Sequence, residues 1–409
     1  MNQHQKLKIV NDPIYGFITI PNGLIYELIE HSYFQRLRRI SQMGMSYLVY
    51  PGAHHTRFHH ALGAMHLMQK AVQVLRLKGV VISEQEEEGL CVAILLHDIG
   101  HGPFSHAMEH SIVNNLSHER ISLLFMERLN SLFNNRLTFA IEIFKDEYPR
   151  KFLNQLISSQ LDVDRLDYLR RDSFYTGVPE GAVNSKRLIT MLNVVDDKLV
   201  VEEKAIYSVE KFIVARRLMY WQVYLHKTSL VAEQLLVRVL KRAKELTNKG
   251  IELPASDALL FFLKNPVSVD SFTDEMLVTF SELDDYDIIS ALKSWSKDED
   301  YVLQNLSKMI LNRDLLKIKL KGKPFSQKKI DQEKNEFISR HKLSDHDASY
   351  FVFTGTVSNQ AYDMEQETIN LLTNRGKVID VAKASDQLNL EALSKKVVKY
   401  YLCYPKSNY

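Results

Sequence analysis

A histidine and an aspartate stand side by side at the end of an apolar run, in Leu95-Leu96-His97-Asp98-Ile99-Gly100. Buried charge is costly unless it is paired or ligates a metal, and adjacent imidazole and carboxylate groups suit a divalent first-row ion. His60 on a preceding predicted helix and Asp164 further along would complete a set of two histidines and two aspartates. Such a set leaves coordination positions for water and phosphate. For the His97-Asp98 pair alone, a hydrogen bond at a helix end is the simpler interpretation.

Further proton donors follow that pair closely along the chain. They are His101, His106, Glu109 and His118. Because histidine titrates near neutral pH, a concentration of imidazoles beside a metal is suited to proton transfer. Random clustering is a poor account of this density, which favours a catalytic metal site over a helix-end hydrogen bond.

A second cluster runs from Leu161 to Asp172. If this segment is helical, Asp164, Tyr168 and Asp172 recur every four residues and share one face. That face can hold a metal, an aromatic ring and a sugar hydroxyl in order. A solvated amphipathic helix with charge pairs explains this segment equally well.

A third cluster consists of Arg216, Tyr220 and Tyr224, with His226-Lys227 just beyond. Arginine offers a planar fork for phosphate oxygens, and tyrosine offers a flat surface for a sugar or base. A core stripe with one snorkelling arginine is an equal alternative.

The elements that must position these clusters are mostly helical. After a strand-and-turn opening at Lys8–Pro21, the pattern predicts a helix over Thr56–Lys78 with Gly79 as its stop. A capping box at Ser83–Glu86 opens a second helix, whose apolar end predicts burial on all sides. A third and longer helix is predicted from near Ser208 to Gly250.

The pattern changes after Gly250, where prolines interrupt it before a further helix that ends near Arg313. Lys317–Lys334 is rich in lysine, and Tyr350–Phe353 and Val398–Tyr404 are predicted as strands around a helix. The predicted fold class is therefore mainly α with a smaller α+β C-terminal region. The predicted units are a catalytic core at 1–250, a helical extension that completes the core at 251–320, and the α+β region at 321–409.

Composition limits the classes of protein that fit. The 409 residues favour two or three structural units, and 52 basic against 50 acidic residues confine any basic surface to a local patch. Two cysteines, Cys91 and Cys403, are too few for a disulfide framework or a thiolate cluster. We see no signal peptide and no run of the roughly 18 apolar residues that a membrane span needs. A cytoplasmic protein without a membrane partner is expected.

The clusters resemble the HD-domain superfamily, and more narrowly its deoxynucleoside triphosphate triphosphohydrolase branch, which includes dGTPase-like enzymes. The resemblance covers residues 8 to about 320. Its main segments are Asn11–Gly16, Phe34–Arg38, Pro51–Ala53, Arg57–His60, His97–His106 and Asp162–Tyr168, with a fainter match through Arg216, Tyr224–Lys227 and Asn312–Leu315.

This resemblance implies an HD-domain helical catalytic core that holds one divalent ion through His60, His97, Asp98 and Asp164. Iron, manganese, zinc, nickel and magnesium all accept such ligands, and a second magnesium can arrive with the substrate. In that family a metal-activated water attacks the α-phosphorus of a deoxynucleoside triphosphate, dGTP or several of them, and releases deoxynucleoside and tripolyphosphate.

The resemblance also implies roles for single residues. His118 matches the general acid, Glu109 the residue that orients it, and His101 a catalytic residue that also contacts phosphate. Tyr224 matches the ring under the sugar that disfavours a 2′-hydroxyl. The other substrate positions are Arg57, His106, Arg165, Tyr168 and Arg216 for phosphate, and Gln42, Met43 and Asp172 beside the sugar and its 3′-hydroxyl.

Some members of the branch are activated by nucleotides bound between subunits. The resemblance therefore implies a nucleotide activator and a homo-oligomer, a dimer or a tetramer; ordinary surface charge is the equal alternative. The matching positions are Lys8, Asn11, Glu30, Gln35, Arg38, Arg187, Lys204 and Arg313.

Two other functions compete with this interpretation. A phosphodiesterase or nucleotidase of the same superfamily would use the same metal ligands on another phosphate ester. A nucleic-acid-binding or regulatory protein could retain the pocket and use Lys317–Lys334 as its basic contact, which is not favoured.

Overall fold

The computed structural model describes residues 8–21, 23–104, 111, 116–265, 267, 272–364, 368–386 and 393–406. An antiparallel hairpin of β1 (Lys8–Asp12) and β2 (Gly16–Ile20) opens this part of the chain. The Asp12 carboxylate accepts hydrogen bonds from the backbone amides of Ile14 and Tyr15 at 2.8 and 2.9 Å, and these bonds fix the turn between the two strands. The predicted strand-and-turn opening is confirmed.

Helices form most of the molecule, as the predicted fold class requires. Those before residue 250 are α1 (Leu24–Glu30), α2 (Ser32–Gln35), α3 (Arg57–Leu77), α4 (Glu84–Leu96), α5 (His118–Leu132), α6 (Thr138–Phe144), α7 (Lys151–Ile157), α8 (Val163–Thr176), α9 (Ser185–Thr190), α10 (Ile206–Met219) and α11 (Lys227–Asn248). Short 3-10 turns cover Arg36–Arg39, Gly44–Leu48, Pro179–Gly181 and Glu203–Ala205.

The later helices are shorter, and small sheets separate some of them. The helices are α12 (Asp257–Lys264), α13 (Asp274–Glu282), α14 (Asp285–Trp295), α15 (Tyr301–Leu311), α16 (Gln327–His341), α17 (Asp345–Ala348) and α18 (Val381–Ala384). The remaining strands are β3 (Leu192–Val195), β4 (Lys198–Glu202), β5 (Lys317–Lys321), β6 (Phe353–Asn359), β7 (Asn370–Leu372), β8 (Val378–Asp380) and β9 (Val397–Tyr404).

The first two predicted helices form as the capping signals require. Thr56 caps α3, and Gly79 with a φ of 88° follows its end. Ser83 caps α4 by accepting the Glu86 amide, while the Glu86 carboxylate accepts the Ser83 amide at 2.7 Å. Residues 90–96 of α4 are all buried, which confirms the prediction of burial on all sides.

The prediction of one uninterrupted helix from Ser208 to Gly250 was wrong. The chain forms a π-helical turn at Tyr220–Tyr224 after α10, and His226 is then extended at φ −60° and ψ 135°. The His226 ring accepts the Thr228 amide at 3.2 Å and so caps the start of α11. Two helices therefore meet at this break, and the widened turn between them carries Tyr220 and Tyr224.

Two sheets join strands of the C-terminal region to strands from earlier in the chain. In the sheet of order β3-β4-β7-β8, β7 pairs in parallel with β4, and in the sheet of order β5-β9-β6, both neighbours of β9 are antiparallel to it. The predicted strand at Val398–Tyr404 is confirmed by β9. The prediction of a strand at Tyr350–Phe353 was wrong for the first three residues, which form a turn. The amides of Phe351 and Val352 both donate to the carbonyl of Ala348 instead of to a neighbouring strand.

Buried apolar side chains form one connected cluster from Ile18 to Tyr404, and its parts lie on helices of the core and on β9. Among the described helices, none has the length and apolar character of a membrane span. Cys91 and Cys403 are both buried thiols. The two boundaries between the three predicted units stay predictions.

Candidate metal centre and substrate cavity

Three helix ends meet at the centre of the core. Helix α3 packs against both α4 and α8, so that its first turn lies beside the end of α4 and the start of α8. The first turn of α3 carries His60, α4 runs directly into His97 and Asp98, and the first turn of α8 carries Asp164. The tertiary packing of these helices therefore brings the four predicted metal ligands together.

The distances between these side chains suit one divalent ion. Asp164 Oδ1 lies 3.0 Å from His60 Nε2 and 3.4 Å from His97 Nε2. Asp98 Oδ1 lies 3.5 Å from His97 Nε2, and Asp98 Oδ2 lies 3.9 Å from His60 Nε2. Nitrogen and oxygen ligands about 2.0–2.2 Å from a shared ion are separated by similar distances. The four groups can thus hold a metal.

The hydrogen bonds on the far side of each ring leave the inward nitrogens ready to bind an ion. His97 Nδ1 lies 2.7 Å from the Ile94 carbonyl oxygen, which can only accept, so Nδ1 carries the hydrogen. His60 Nδ1 donates in the same way to Asp167 Oδ2 at 2.7 Å. The two Nε2 atoms are buried and have no hydrogen-bond partner within the described part of the chain. Buried polar atoms are rarely left so, and a metal would satisfy both.

The charges around His60 favour a cation at this position. Burial lowers the pKa of His60, but the carboxylates of Asp164 and Asp167 outweigh it and raise the pKa to about 10. Burial opposes ionisation of Asp98, yet His97, His101 and Arg57 hold the pKa of this carboxyl well below its usual range. Several ionised carboxylates therefore surround a small volume that either a proton or a metal ion can neutralise.

Asp167 is fixed by a buried ion pair behind the centre. Its two oxygens each accept from Arg171 at 2.9 Å, and Arg171 Nη1 also donates to Asp12 at 2.7 Å. Burial raises the pKa of Asp167, but Arg171 and His60 lower it by more, so that the pKa falls to about 2. Helix α3 can approach this pair only because residue 63 is glycine: a Cβ there would overlap Asp167 and Arg171.

The loop after α4 is held from two sides. Arg36, fully buried, donates to the carbonyls of Ile99 and His101 at 2.8 and 3.0 Å. Burial lowers the pKa of Arg36 to about 9, which still leaves it charged at neutral pH. On the other side, a Cβ on Gly100 would overlap the backbone of α5, so glycine permits this close approach. The approach places His118, at the start of α5, over His101 with ring centroids 3.8 Å apart.

A cavity of about 440 Å³ opens from the metal centre. The predicted site residues that line it are Asp98, His101, His118 and Asp164 at the centre, and Gln42, Met43, Arg57, Arg165, Tyr168, Asp172 and Tyr224 beyond it. Residues that the sequence did not indicate also line it, namely Gly44, Met45, Ser46, Phe104, Glu119, Ser229, Glu233 and Leu236.

Asp172 is the best-defined polar group away from the metal centre. Its Oδ2 accepts from the Tyr224 hydroxyl at 2.7 Å, and its Oδ1 accepts from His55 Nε2 at 2.6 Å. The His55 ring in turn stacks on Tyr175 with centroids 4.3 Å apart. The Gln42 side-chain oxygen, by contrast, is buried without a hydrogen-bond partner in the described structure. A bound hydroxyl could donate to either group.

Three of the predicted catalytic and substrate-binding residues are not among the described residues that line the cavity. Arg216 is one of them. Burial raises the pKa of the Tyr168 phenol, and Arg216 lies close enough to oppose part of this increase. His106 and Glu109 lie outside the described residues.

The positions predicted for a nucleotide activator are not among the residues that line the cavity at the metal centre. Lys8 lies over the Tyr26 ring, and Arg38 donates to Gln35 at 2.8 Å. Arg187 donates to the Lys204 carbonyl at 2.9 Å, and Arg313 donates to the Leu48 carbonyl at 2.7 Å. Asn11 and Glu30 are exposed, on β1 and at the end of α1.

Several residues that organise the site were missed by the sequence interpretation. Asp167, His55 and Arg36 act on other side chains or on backbone carbonyls, and no spacing rule distinguishes them from ordinary polar residues. The available signal was the charge of Arg36 close to two apolar residues, Phe34 and Leu37, both of which are buried.

Comparisons with known proteins agree with this geometry. Residues 57–172 match the HD domain family, and residues 183–256 match the HD associated region. A phosphohydrolase from Bacteroides thetaiotaomicron is 51% identical with a TM-score of 0.95, over 98% of this chain and 100% of that chain. The uncharacterized protein YwfO of Bacillus subtilis is 33% identical over 98% of this chain and 92% of YwfO. The deoxynucleoside triphosphate triphosphohydrolase SAMHD1 of Homo sapiens is 27% identical over 83% of this chain and 59% of SAMHD1.

A helical core in which two histidines and two aspartates converge, with the aspartates lining one cavity, defines the class of HD-domain hydrolases. The chain belongs to the HD-domain phosphohydrolase family, in the branch that contains the SAMHD1-like proteins. The predicted membership of this superfamily and branch is confirmed.

Proposed function

We propose that the protein is a metal-dependent deoxynucleoside triphosphate triphosphohydrolase, which hydrolyses dGTP or several deoxynucleoside triphosphates to deoxynucleoside and tripolyphosphate. One observation carries this proposal. The cavity that begins at the metal centre is lined by cations suited to phosphate and also by Asp172 with Tyr224, which are suited to a deoxyribose. A site for a simpler phosphate ester needs only the first of these two features.

The phosphate end of the cavity is defined by Arg57 and Arg165. Arg57 forms an ion pair with Asp98, and Arg165 follows the metal ligand Asp164 on α8. Arg165 Nε donates to the Ser159 carbonyl at 2.7 Å, and the residue lines the cavity. Guanidinium groups bind phosphate oxygens with charge-assisted hydrogen bonds.

The mechanism follows from these positions. His60, His97, Asp98 and Asp164 would hold a divalent ion, which would supply Lewis acidity toward a phosphate oxygen and lower the pKa of a water. Arg57 and Arg165 hold the phosphate oxygens and stabilise the negative charge that develops. His118 lies over His101 at the edge of the centre and donates a proton to the leaving 5′-oxygen.

The sugar is held further along α8. The Tyr224 ring lines the cavity, and its hydroxyl bond to Asp172 fixes the ring in place. Asp172 and Gln42 are placed to accept a hydrogen bond from a 3′-hydroxyl. A ring fixed under the sugar would disfavour a 2′-hydroxyl and so favour a deoxyribose over a ribose.

Incubation with each deoxynucleoside triphosphate, separately and mixed, with and without manganese, tests this function. Tripolyphosphate and deoxynucleoside as products support it. Orthophosphate or a nucleoside monophosphate would instead indicate a phosphodiesterase or nucleotidase of the same family. Steeply salt-dependent nucleic-acid binding without turnover would indicate a binding protein that retains the pocket.

We also propose that the protein is a homo-oligomer, a dimer or a tetramer, and that a nucleotide bound between subunits activates it. Lys8, Arg38 and Arg313 are exposed cations on three different segments of the chain, and an anion that bridges two chains could gather them. Because coupling is reciprocal, the nucleotide must bind the assembled form more tightly. Oligomer mass and rate across nucleotide titrations test this proposal: constant mass with hyperbolic kinetics in every mixture would contradict it.

A further inference from the structure

The wall of the cavity formed by α11 is not used by the proposed mechanism. Ser229, Glu233 and Leu236 lie on this helix at spacings of four and three residues, and all three line the cavity. The spacing places them on one face. The 3-10 turn Gly44–Leu48 packs against the same helix and contributes Met45 and Ser46. This part of the cavity is therefore bounded by two elements that carry no metal ligand.

The buried hydroxyl of Ser229 indicates that this wall can bind a polar group of a ligand. The residue is only 6% exposed, and its Oγ has no hydrogen-bond partner among the residues that the structure describes. A buried hydroxyl left without a partner is costly, by about 1–3 kcal/mol. An incoming ligand that forms a hydrogen bond with this hydroxyl would remove that penalty.

The negative charge of Glu233 limits which part of a nucleotide can bind at this wall. A carboxylate repels a triphosphate, and the cations Arg57 and Arg165 stand instead at the metal end. The sugar hydroxyl already has acceptors in Asp172 and Gln42. The part of the substrate left for this wall is the base, and a carboxylate accepts hydrogen bonds from N–H donors.

We propose that Ser229 and Glu233 read the base of the substrate, and that Glu233 favours bases with an exocyclic amino group over thymine and uracil. Guanine, adenine and cytosine each present an amino donor, whereas the corresponding position of thymine is a carbonyl oxygen. A carbonyl oxygen opposite a carboxylate places two acceptors face to face, which is unfavourable. This inference rests on the proposed function, because it assumes a nucleotide in the cavity.

The dCTP and dUTP pair gives the sharpest test, because at position 4 the first has an amino group where the second has an oxygen. The full-length protein with manganese should show a higher kcat/KM for dCTP than for dUTP. Glu233→Gln should lower that ratio by about tenfold, since one accepting oxygen is replaced by a donor. Ser229→Ala should raise KM for both substrates and change the ratio less, because a hydroxyl can donate or accept.

Glu252→Gln is the matched control, because it makes the same chemical change on an exposed side chain beyond α11. It should leave the ratio unchanged. Equal kcat/KM for dCTP and dUTP in the wild type, or a ratio that Glu233→Gln does not alter, would overturn the inference. A variant that loses stability while keeping the ratio would show that Glu233 has only a structural role.

Binding of the free nucleosides separates this inference from the proposed function. Calorimetry with deoxycytidine and deoxyuridine needs no turnover. If no triphosphate is hydrolysed, but deoxycytidine binds more tightly and Glu233→Gln removes the difference, the base reading stands and the proposed function falls. If triphosphates are hydrolysed with a ratio that Glu233→Gln leaves unchanged, the proposed function stands and the base reading falls.

Discussion

His60 and Asp167 are joined by a hydrogen bond of 2.7 Å between Nδ1 of the ring and Oδ2 of the carboxylate. Asp167 is not one of the four candidate metal ligands, yet it determines which nitrogen of His60 carries the hydrogen. Arg171 holds the same carboxylate from behind with two bonds of 2.9 Å. The orientation of a metal ligand thus depends on an ion pair that never faces the cavity.

Asp167→Asn should weaken metal binding without removing a ligand. Loss of the outer partner of a ligating histidine typically reduces metal affinity by about 10–100-fold. Titration of the metal-free protein with manganese measures this change, and Asp331→Asn on the exposed side of α16 serves as a control. Equal affinity in the wild type and Asp167→Asn would show that the hydrogen bond does not support the metal site.

His97→Ala or Asp98→Ala should remove both the bound metal and hydrolysis, because each change removes one of the four candidate ligands. Metal analysis after dialysis and circular dichroism should show a metal-poor protein that is still helical. Wild-type turnover by a metal-free variant would refute the assignment of these ligands.

His118→Ala should leave the metal bound and lower kcat by about 10²–10⁴-fold, the usual contribution of general acid catalysis. The expected result differs from that of the ligand variants because His118 stacks on His101 at the edge of the centre. Loss of metal from this variant would show that His118 is a ligand and not an acid.

Tyr224→Ala should reduce the discrimination between deoxyribose and ribose triphosphates, because it removes the ring that lines the sugar part of the cavity. Tyr224→Phe is the matched control. It keeps the ring but frees Asp172 from the bond of 2.7 Å, so it should retain most of the discrimination. The ratio of kcat/KM for dGTP and GTP measures both effects, and the same ratio in all three proteins would exclude a role for the ring.

Stability should fall in acid partly through Asp300, which joins α15 to α11. Burial raises the pKa of Asp300, but Arg242 and the Leu303 amide lower it more, so the folded-state pKa is below its ordinary value. A lowered folded-state pKa gives stability that is present above the unfolded pKa of about 3.9 and is lost as pH falls through the folded value. Denaturant unfolding between neutral pH and acid measures this loss.

Asp300→Asn is the variant that isolates this effect. It keeps an oxygen that can cap α15 but removes the ion pair, so we expect the free energy of unfolding at neutral pH to fall by about 1–3 kcal/mol. Its stability should also depend less on pH in the acid range. An identical pH dependence in both proteins would mean that Asp300 does not contribute to acid unfolding.

Much of the site could be predicted from the sequence because the relevant signals are local. The capping residues Thr56 and Ser83 indicate where α3 and α4 begin, and the spacing of Asp164, Tyr168 and Asp172 indicates one helical face. All three residues of that face do line the cavity. The break at Tyr220–Tyr224 was not predictable in the same way, because its residues have no proline or glycine to interrupt a helix.

The sequence by itself determined which groups are available for chemistry: the imidazoles and carboxylates of the metal centre and the arginines beside it. Only the tertiary structure decided their surroundings. Asp167 lies behind His60, Arg36 holds the loop after α4, and Ser229 and Glu233 face the cavity, because helices far apart in the chain pack together. Hydrogen bonds between such segments depend on packing in three dimensions, and neither periodicity nor spacing along one segment contains that information.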